Sequence, residues 1–162
     1  MKTKVAGKTF EYYWKAARMP VFAAIALSVL QLLLAMVPFF GWIALGFFGL
    51  IGLLIPAYLG WNAVKALKYS AKHSAISGAL GGLIAGLISG IASAIGVFFI
   101  GSTIAGALAS SGSYSQYASA VAAQAQGAML ISALFGIVTA PLFGAIMWAI
   151  IALIGAIIAE NV

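Results

Sequence analysis

Apart from lysine and arginine, three side chains in this chain offer acid–base or ligand chemistry near neutral pH: Glu11, His73 and Glu160. They are scattered along the sequence, and each lies at the edge of an apolar run or in a short basic connection. A metal centre needs several converging His, Cys or carboxylate ligands, and one histidine beside lysines does not supply that set. With no aspartate or cysteine present, neither a Ser-His-Asp relay nor a thiol nucleophile can be assembled. No phosphate-binding G-x-x-x-x-G-K-[ST] loop occurs. Gly78, Gly81 and Gly82 lie in an apolar run, where helical amides are already bonded and unable to cradle an anion. The expectation is a protein with no catalytic residues, no cofactor and no metal, and so not an enzyme.

The elements that carry these residues follow from composition. Hydrophobic residues make up 65% of the chain and charged residues 6%, against about a quarter charged in soluble domains. So few charges cannot cover the surface of a water-soluble domain of this size, so hydrocarbon is the expected solvent. Eight basic residues face two acidic ones, yet they fall before or between apolar runs, where cytoplasmic-side anchors belong. That placement argues against nucleic acid as a partner. The predicted fold is an all-α integral membrane protein: a four-transmembrane-helix bundle with an N-terminal interfacial helix and glycine-zipper packing, forming one membrane domain over residues 1–162.

Spans are expected at about 20–38, 41–64, 75–109 and 127–159 (bounds read from hydropathy), since about 20 apolar residues cross a roughly 30 Å core. The last two are longer than needed and must tilt, kink or project. Pro38 to Gly41 reads as a tight, uncharged turn, either joining a helical hairpin or re-entering, with arm length favouring full crossing. Lys2, Lys4, Lys8, Lys15 and Arg18 precede the first span, and Lys65, Lys68 and Lys72 follow the second. Four crossings place all eight on one face, which the positive-inside rule makes cytoplasmic, together with both termini. The expected location is the cell membrane. The first run lacks a convincing small-x-small cleavage site and reads as a retained anchor.

Residues 9–18 form the expected interfacial helix, with Phe10, Tyr13, Trp14 and Ala17 on one side and Glu11, Lys15 and Arg18 toward the other. Trp14, Lys15, Arg18, Lys65, Lys68 and Lys72 are the predicted membrane-surface anchors. The three lysines sit at i, i+3 and i+7 and read as one stripe that extends the second helix and favours anionic lipid. The loop at 110–126 is polar and uncharged. Ser113 and Gln116 match a capping box, ahead of an Ala-rich helix running toward Gly127.

Gly78, Gly82, Gly86 and Gly90 make an unbroken row of small residues, and Ser132, Gly136, Ala140 and Gly144 make a parallel one. Gly46, Gly49 and Gly52 add a third smooth face. In lipid, helices are held by close backbone approach rather than by hydrophobic burial. The rows are read as a packing interface within one chain, with the surplus face available to a second copy or to another membrane subunit. Gln31, the one amide well inside a span, either hydrogen-bonds a neighbouring helix or lines a polar path. Pro56 and Pro141 are expected to interrupt their helices, as kinks or as broken-helix sites of the transporter kind. Function at this level is an accessory subunit or self-associating scaffold of a membrane assembly; the alternative is a small channel or facilitator for a neutral or small solute. Expected partners are the lipid bilayer, further copies or other membrane subunits, and anionic lipid.

Overall fold

The computed structural model describes the backbone of residues 4–35, 40–110 and 116–162, and side-chain surroundings throughout except at 4, 32, 35, 40–46, 48, 49, 96–110, 116–126 and 129. The expected turn through Pro38 and the Ser113 cap lie outside the described residues. A two-stranded hairpin, β1 (Lys4–Val5) and β2 (Lys8–Thr9), leads into α1 (Phe10–Ala35). Then come α2 (Phe40–Lys65), α3 (Ala71–Ser110) and α4 (Gln116–Asn161). At 40 and 46 residues, α3 and α4 run for about 60 and 70 Å at 1.5 Å per residue.

The hairpin was not anticipated from the sequence. Val5 pairs with Lys8 and Lys4 with Thr9 across Ala6 and Gly7, whose φ values are 46° and 80°. Two positive φ angles in a two-residue loop match the strand twist; Gly7 adopts this readily, whereas Ala6 does so against its preference.

Two expectations about helix boundaries are corrected. Residues 10–18 are not a separate interfacial helix but the first turns of α1, which continues through Pro20. Tyr13, Ala16, Ala17, Pro20 and Val21 are all buried, so one helical face docks on the bundle across the boundary expected near residue 19. The lysine stripe is also broken. α2 stops at Lys65, the chain reverses through residues 66–70, and Lys72 belongs to α3. Lys68 takes a left-handed φ of 56°; its amide bonds the Val64 carbonyl at 3.1 Å and the Tyr69 amide bonds Ala63 at 2.9 Å. These nested bonds occupy carbonyls that the helix end leaves free. The prolines, too, interrupt less than expected: α2 and α4 continue through Pro56 and Pro141.

Neighbouring helices form a ring, α3 against α4, α4 against α2, α2 against α1 and α1 against α3. The core is made mostly of small residues. Ala17, Val21, Leu59 and Ala152 form one cluster, covered by Trp14, Ile25, Ile84 and Trp148; Ala16, Ala63 and Tyr69 form a second. Large apolar side chains point outward: Ile131 is 70% exposed, Phe143 69% and Leu54 66%. This arrangement inverts the soluble pattern. Among the described residues, Ala71–Ile95 and Leu130–Asn161 are long and apolar enough to cross a membrane.

Lys68 tests the chain reversal. Lys68→Gly removes the left-handed strain and should keep or raise thermal stability in detergent, whereas β-branched Lys68→Val should lower it by about 1–2 kcal/mol. Thermal unfolding followed by circular dichroism reads both.

Candidate functional site at the glycine seam and the basic end

Along α3, Gly78, Gly82, Gly86 and Gly90 fall in steps of four, and each lies directly against the backbone of α4. A methyl placed on Gly78 would sit 2.6 Å from the Trp148 carbonyl oxygen. On Gly82 it would overlap the Gly144 carbonyl, and on Gly86 the Ala140 carbonyl and Pro141. At Gly90 the contact relaxes to 3.0 Å from the Gly136 oxygen. Partners descend along α4 as positions ascend along α3, so the helices are antiparallel through the seam. From the other side, Gly144 meets the Gly82 carbonyl. The two rows named from the sequence thus face each other within one chain.

Ser132 departs from its expected place. It is exposed, and Ala133 takes the buried position. Steps of four drift about 40° each around a helix, so beyond Gly136 the seam passes to the residue one place closer. Gly136 itself is open: a Cβ there would meet nothing within 4 Å. Of the third face, Gly46 and Gly49 lie outside the described side-chain surroundings, and Gly52 faces open space.

A second seam was missed. A Cβ on Gly60 of α2 would strike the Ala152 carbonyl, and one on Gly155 of α4 would strike that of Ala57. Its signal was present as Ala57 and Gly60 facing Ala152 and Gly155, but these sit among many other small residues with no unbroken period to mark them. α4 therefore carries small residues on two sides, one toward α3 and one toward α2.

At one end of the bundle the start of α1, the end of α2, the start of α3 and the end of α4 converge. The Tyr12 ring stacks on Tyr69 with centroids 4.1 Å apart, and the Tyr69 hydroxyl donates to the Tyr12 carbonyl at 2.6 Å. Tyr13 donates to the Val5 carbonyl at 2.8 Å, tying the hairpin to α1. His73 lies between the two tyrosines, parallel to Tyr13 at 5.9 Å and edge-on to Tyr12 at 5.8 Å. Its Nδ1 is 2.8 Å from the Ser70 hydroxyl, while its Nε2 is shielded from solvent and lacks a hydrogen-bond partner. These ring contacts pack the imidazole into an aromatic cluster, and among the described residues no three His, Cys, Asp or Glu side chains come together. Lys8 places its ammonium 5.2 Å from the Tyr12 ring centroid, an arrangement that attracts a cation to the ring face.

Glu160 reaches across from the end of α4 and accepts the Ala71 amide at 3.1 Å. A carboxylate there satisfies a free amide of the α3 N-terminus and complements its positive dipole end. Ser74 and Ser77 are completely buried just beyond it. Their hydroxyls donate to the Ser70 and His73 carbonyls at 3.2 and 3.0 Å, so they behave as small packing residues with satisfied polarity. By sequence, Ser74 falls in the polar connection and Ser77 just inside the third apolar run.

The predicted anchors divide. Trp14 is half-buried over the Ala17 cluster and stacks with Phe10 at 6.3 Å, while Lys15, Arg18, Lys65, Lys68 and Lys72 are exposed. Gln31 is half-buried and makes no side-chain hydrogen bond to the described residues. The hydroxyls of Ser28 and Thr139 bond back to their own helices, to Ala24 and Phe135, at 2.9 and 3.0 Å.

Burial raises the pKa of Tyr13 and of Tyr69 above the ordinary 10.0, with the neighbouring Tyr12 adding to both and Tyr13 adding to Tyr69. The folded state therefore favours the neutral phenols. Their contribution to stability is complete below about pH 10 and is lost as pH rises through the elevated folded values. Unfolding midpoints measured between pH 8 and pH 12 should fall at the alkaline end, and less steeply in the Tyr13→Phe, Tyr69→Phe double variant.

The seam makes a second expectation. Gly82→Ala and Gly144→Ala each force a methyl into facing backbone and should cost at least the 1–3 kcal/mol or so of an overpacked core, with Gly86→Leu preventing correct packing altogether. Gly52→Ala and Gly136→Ala meet open space and should be neutral or gain up to about 1 kcal/mol of helix propensity. Equal losses at all positions in thermal unfolding would remove the seam as a special contact. No family model, curated protein or solved structure matches the chain.

Proposed function

We propose that this chain is a non-enzymatic multi-pass membrane protein, with four spans and both termini cytoplasmic, that serves as an accessory subunit or self-associating scaffold of a membrane assembly. The observation that carries this reading is the inverted distribution of side chains. Small residues make up most of the interior beside Tyr13, Val21, Pro56 and Leu59, while isoleucine, leucine and phenylalanine cover the outside of α4 from Leu130 to Ile158. An outward apolar face of that length is solvated by lipid tails or by other apolar helices and not by water. Both candidate spans leave most of their length unburied, unlike the core helix of a soluble protein.

Orientation draws support from the basic end. Tyr12 on Tyr69 and Glu160 on Ala71 bring the starts of α1 and α3 and the ends of α2 and α4 to one boundary. Lys8, Lys15, Arg18, Lys65, Lys68 and Lys72 belong to the segments that meet there. The scaffold reading rests on what remains after internal packing. The two glycine seams are consumed within the chain, so association would use the large apolar faces and the open Gly52 side of α2. The solute-facilitator reading draws less support, because backbone contact closes the α3–α4 seam and the Ser28, Ser77 and Thr139 hydroxyls bond within their own helices.

The chain has no cysteine, so single-cysteine labelling in sealed vesicles gives an unambiguous readout. Lys4→Cys and Lys68→Cys should react from the same side and Ser113→Cys from the other; opposite sides for the first two would overturn the topology. Crosslinking in native membrane should then show a defined assembly. A chain that stays monomeric and without partners there would overturn the scaffold reading.

A further inference from the structure

We infer that the groove between α1 and α2 holds one anionic phospholipid, with an acyl chain along its apolar floor and the phosphate bracketed by Lys15 and Lys65. The groove has a volume of about 440 Å³ and is lined by Met19, Pro20 and Ala23 of α1 and by Leu54, Tyr58 and Asn62 of α2, among others. That volume falls within the range of small-molecule sites, which pair an apolar wall with a few polar groups that set orientation. Here the polar groups lie at one end. Its floor, from Ile51 to Asn62, runs for about 16 Å at 1.5 Å per residue, close to one leaflet's share of a roughly 30 Å hydrocarbon core.

Charge fixes which amphiphile suits the groove. On α2 the lining positions 51, 55, 58 and 62 recur at the spacing of one helical face, and Lys65 is the next position on that face. On α1, Lys15 lies one turn before Met19. Ala16 and Ala63 share a buried cluster, which sets the turn of Lys15 level with that of Asn62 and Lys65. Both lysines are exposed, and among the described residues neither is ion-paired. Lys65 rests over the Trp61 ring at 5.7 Å, a residue type favoured at headgroup depth. The Asn62 amide makes no hydrogen bond to the described residues, and the Tyr58 ring is exposed beside it. Two cations, an amide donor and a phenol thus gather above an apolar channel. The one acidic residue nearby, Glu11, lies a further turn beyond Lys15 and outside the groove. A zwitterionic lipid would bring a cationic group to the same lysines, so the complementary headgroup carries net negative charge.

This inference rests on the membrane reading above, and the test separates the two. The full chain in mild detergent is offered phosphatidylglycerol or phosphatidylcholine with identical acyl chains, and bound lipid is counted by native mass spectrometry. Phosphatidylglycerol should be retained preferentially, and each of Lys15→Gln and Lys65→Gln should weaken that retention about fivefold. Ala23→Trp should fill the groove and abolish retention without lowering the thermal stability of the lipid-free protein, because Ala23 is exposed. Equal retention of both lipids overturns the inference, as does an anionic preference that survives Ala23→Trp. The two lysine variants alter only exposed side chains and decide the matter if the tryptophan variant does not fold. Release of the chain into the aqueous fraction on alkaline carbonate extraction would instead sink the membrane reading itself.

Discussion

The whole bundle depends on how closely the backbones of α3 and α4 approach. At Gly82 and Gly144 the carbonyl of each helix occupies the space where the other would carry a side chain. Where lipid replaces water, burying apolar area adds little, because a lipid tail solvates leucine as well as a helix does. What remains is dispersion between close surfaces, and that falls off steeply with a gap of even half an ångström. Glycine at every fourth position maintains this approach over the stretch from Gly78 to Gly90.

Once α3 and α4 are joined, the rest of the ring follows. α4 presents a second small face, Ala152 and Gly155, to Ala57 and Gly60 of α2. Trp148 spans the two seams, lying on Gly81 and Gly82 while joining the Ala17, Val21, Leu59 and Ala152 cluster. α1 closes the ring with Ala16, Ala17 and Val21. The interior holds few side chains that would need a specific partner. Among the described residues the fully buried polar side chains are Ser74 and Ser77, whose hydroxyls bond nearby carbonyls beside the aromatic cluster at the basic end.

That end is built on different physics. Tyr12, Tyr13, Tyr69 and His73 supply ring stacking between segments distant in sequence, with one hydroxyl-to-carbonyl bond across that distance, from Tyr69 to Tyr12, and a local one from Tyr13 to Val5. Glu160 adds a charge-assisted bond to the start of α3. The contacts tie the ends of four helices together and leave Lys15, Arg18, Lys65, Lys68 and Lys72 exposed around them. Apolar seam within and polar clasp at one end are complementary: the first sets helix spacing, the second sets which ends lie together.

Much of this was legible in the residues themselves. Charge poverty and apolar run length pointed to long helices with lipid-compatible surfaces, since an uninterrupted apolar run of that length bonds its own backbone amides as a helix. The unbroken periods of Gly78 to Gly90 and of Gly136 to Gly144 marked the faces that meet, because period is a local property of one helix. Tertiary structure alone decided three matters. It matched the α3 row to the α4 row within one chain, a question of pairing that no single helix encodes. It ended α2 at Lys65 rather than extending the lysine stripe, because stacking Tyr69 on Tyr12 required the chain to reverse there. It also merged residues 10–18 with the rest of α1, because Tyr13, Ala16 and Ala17 found a core to bury against that a lone amphipathic segment lacks.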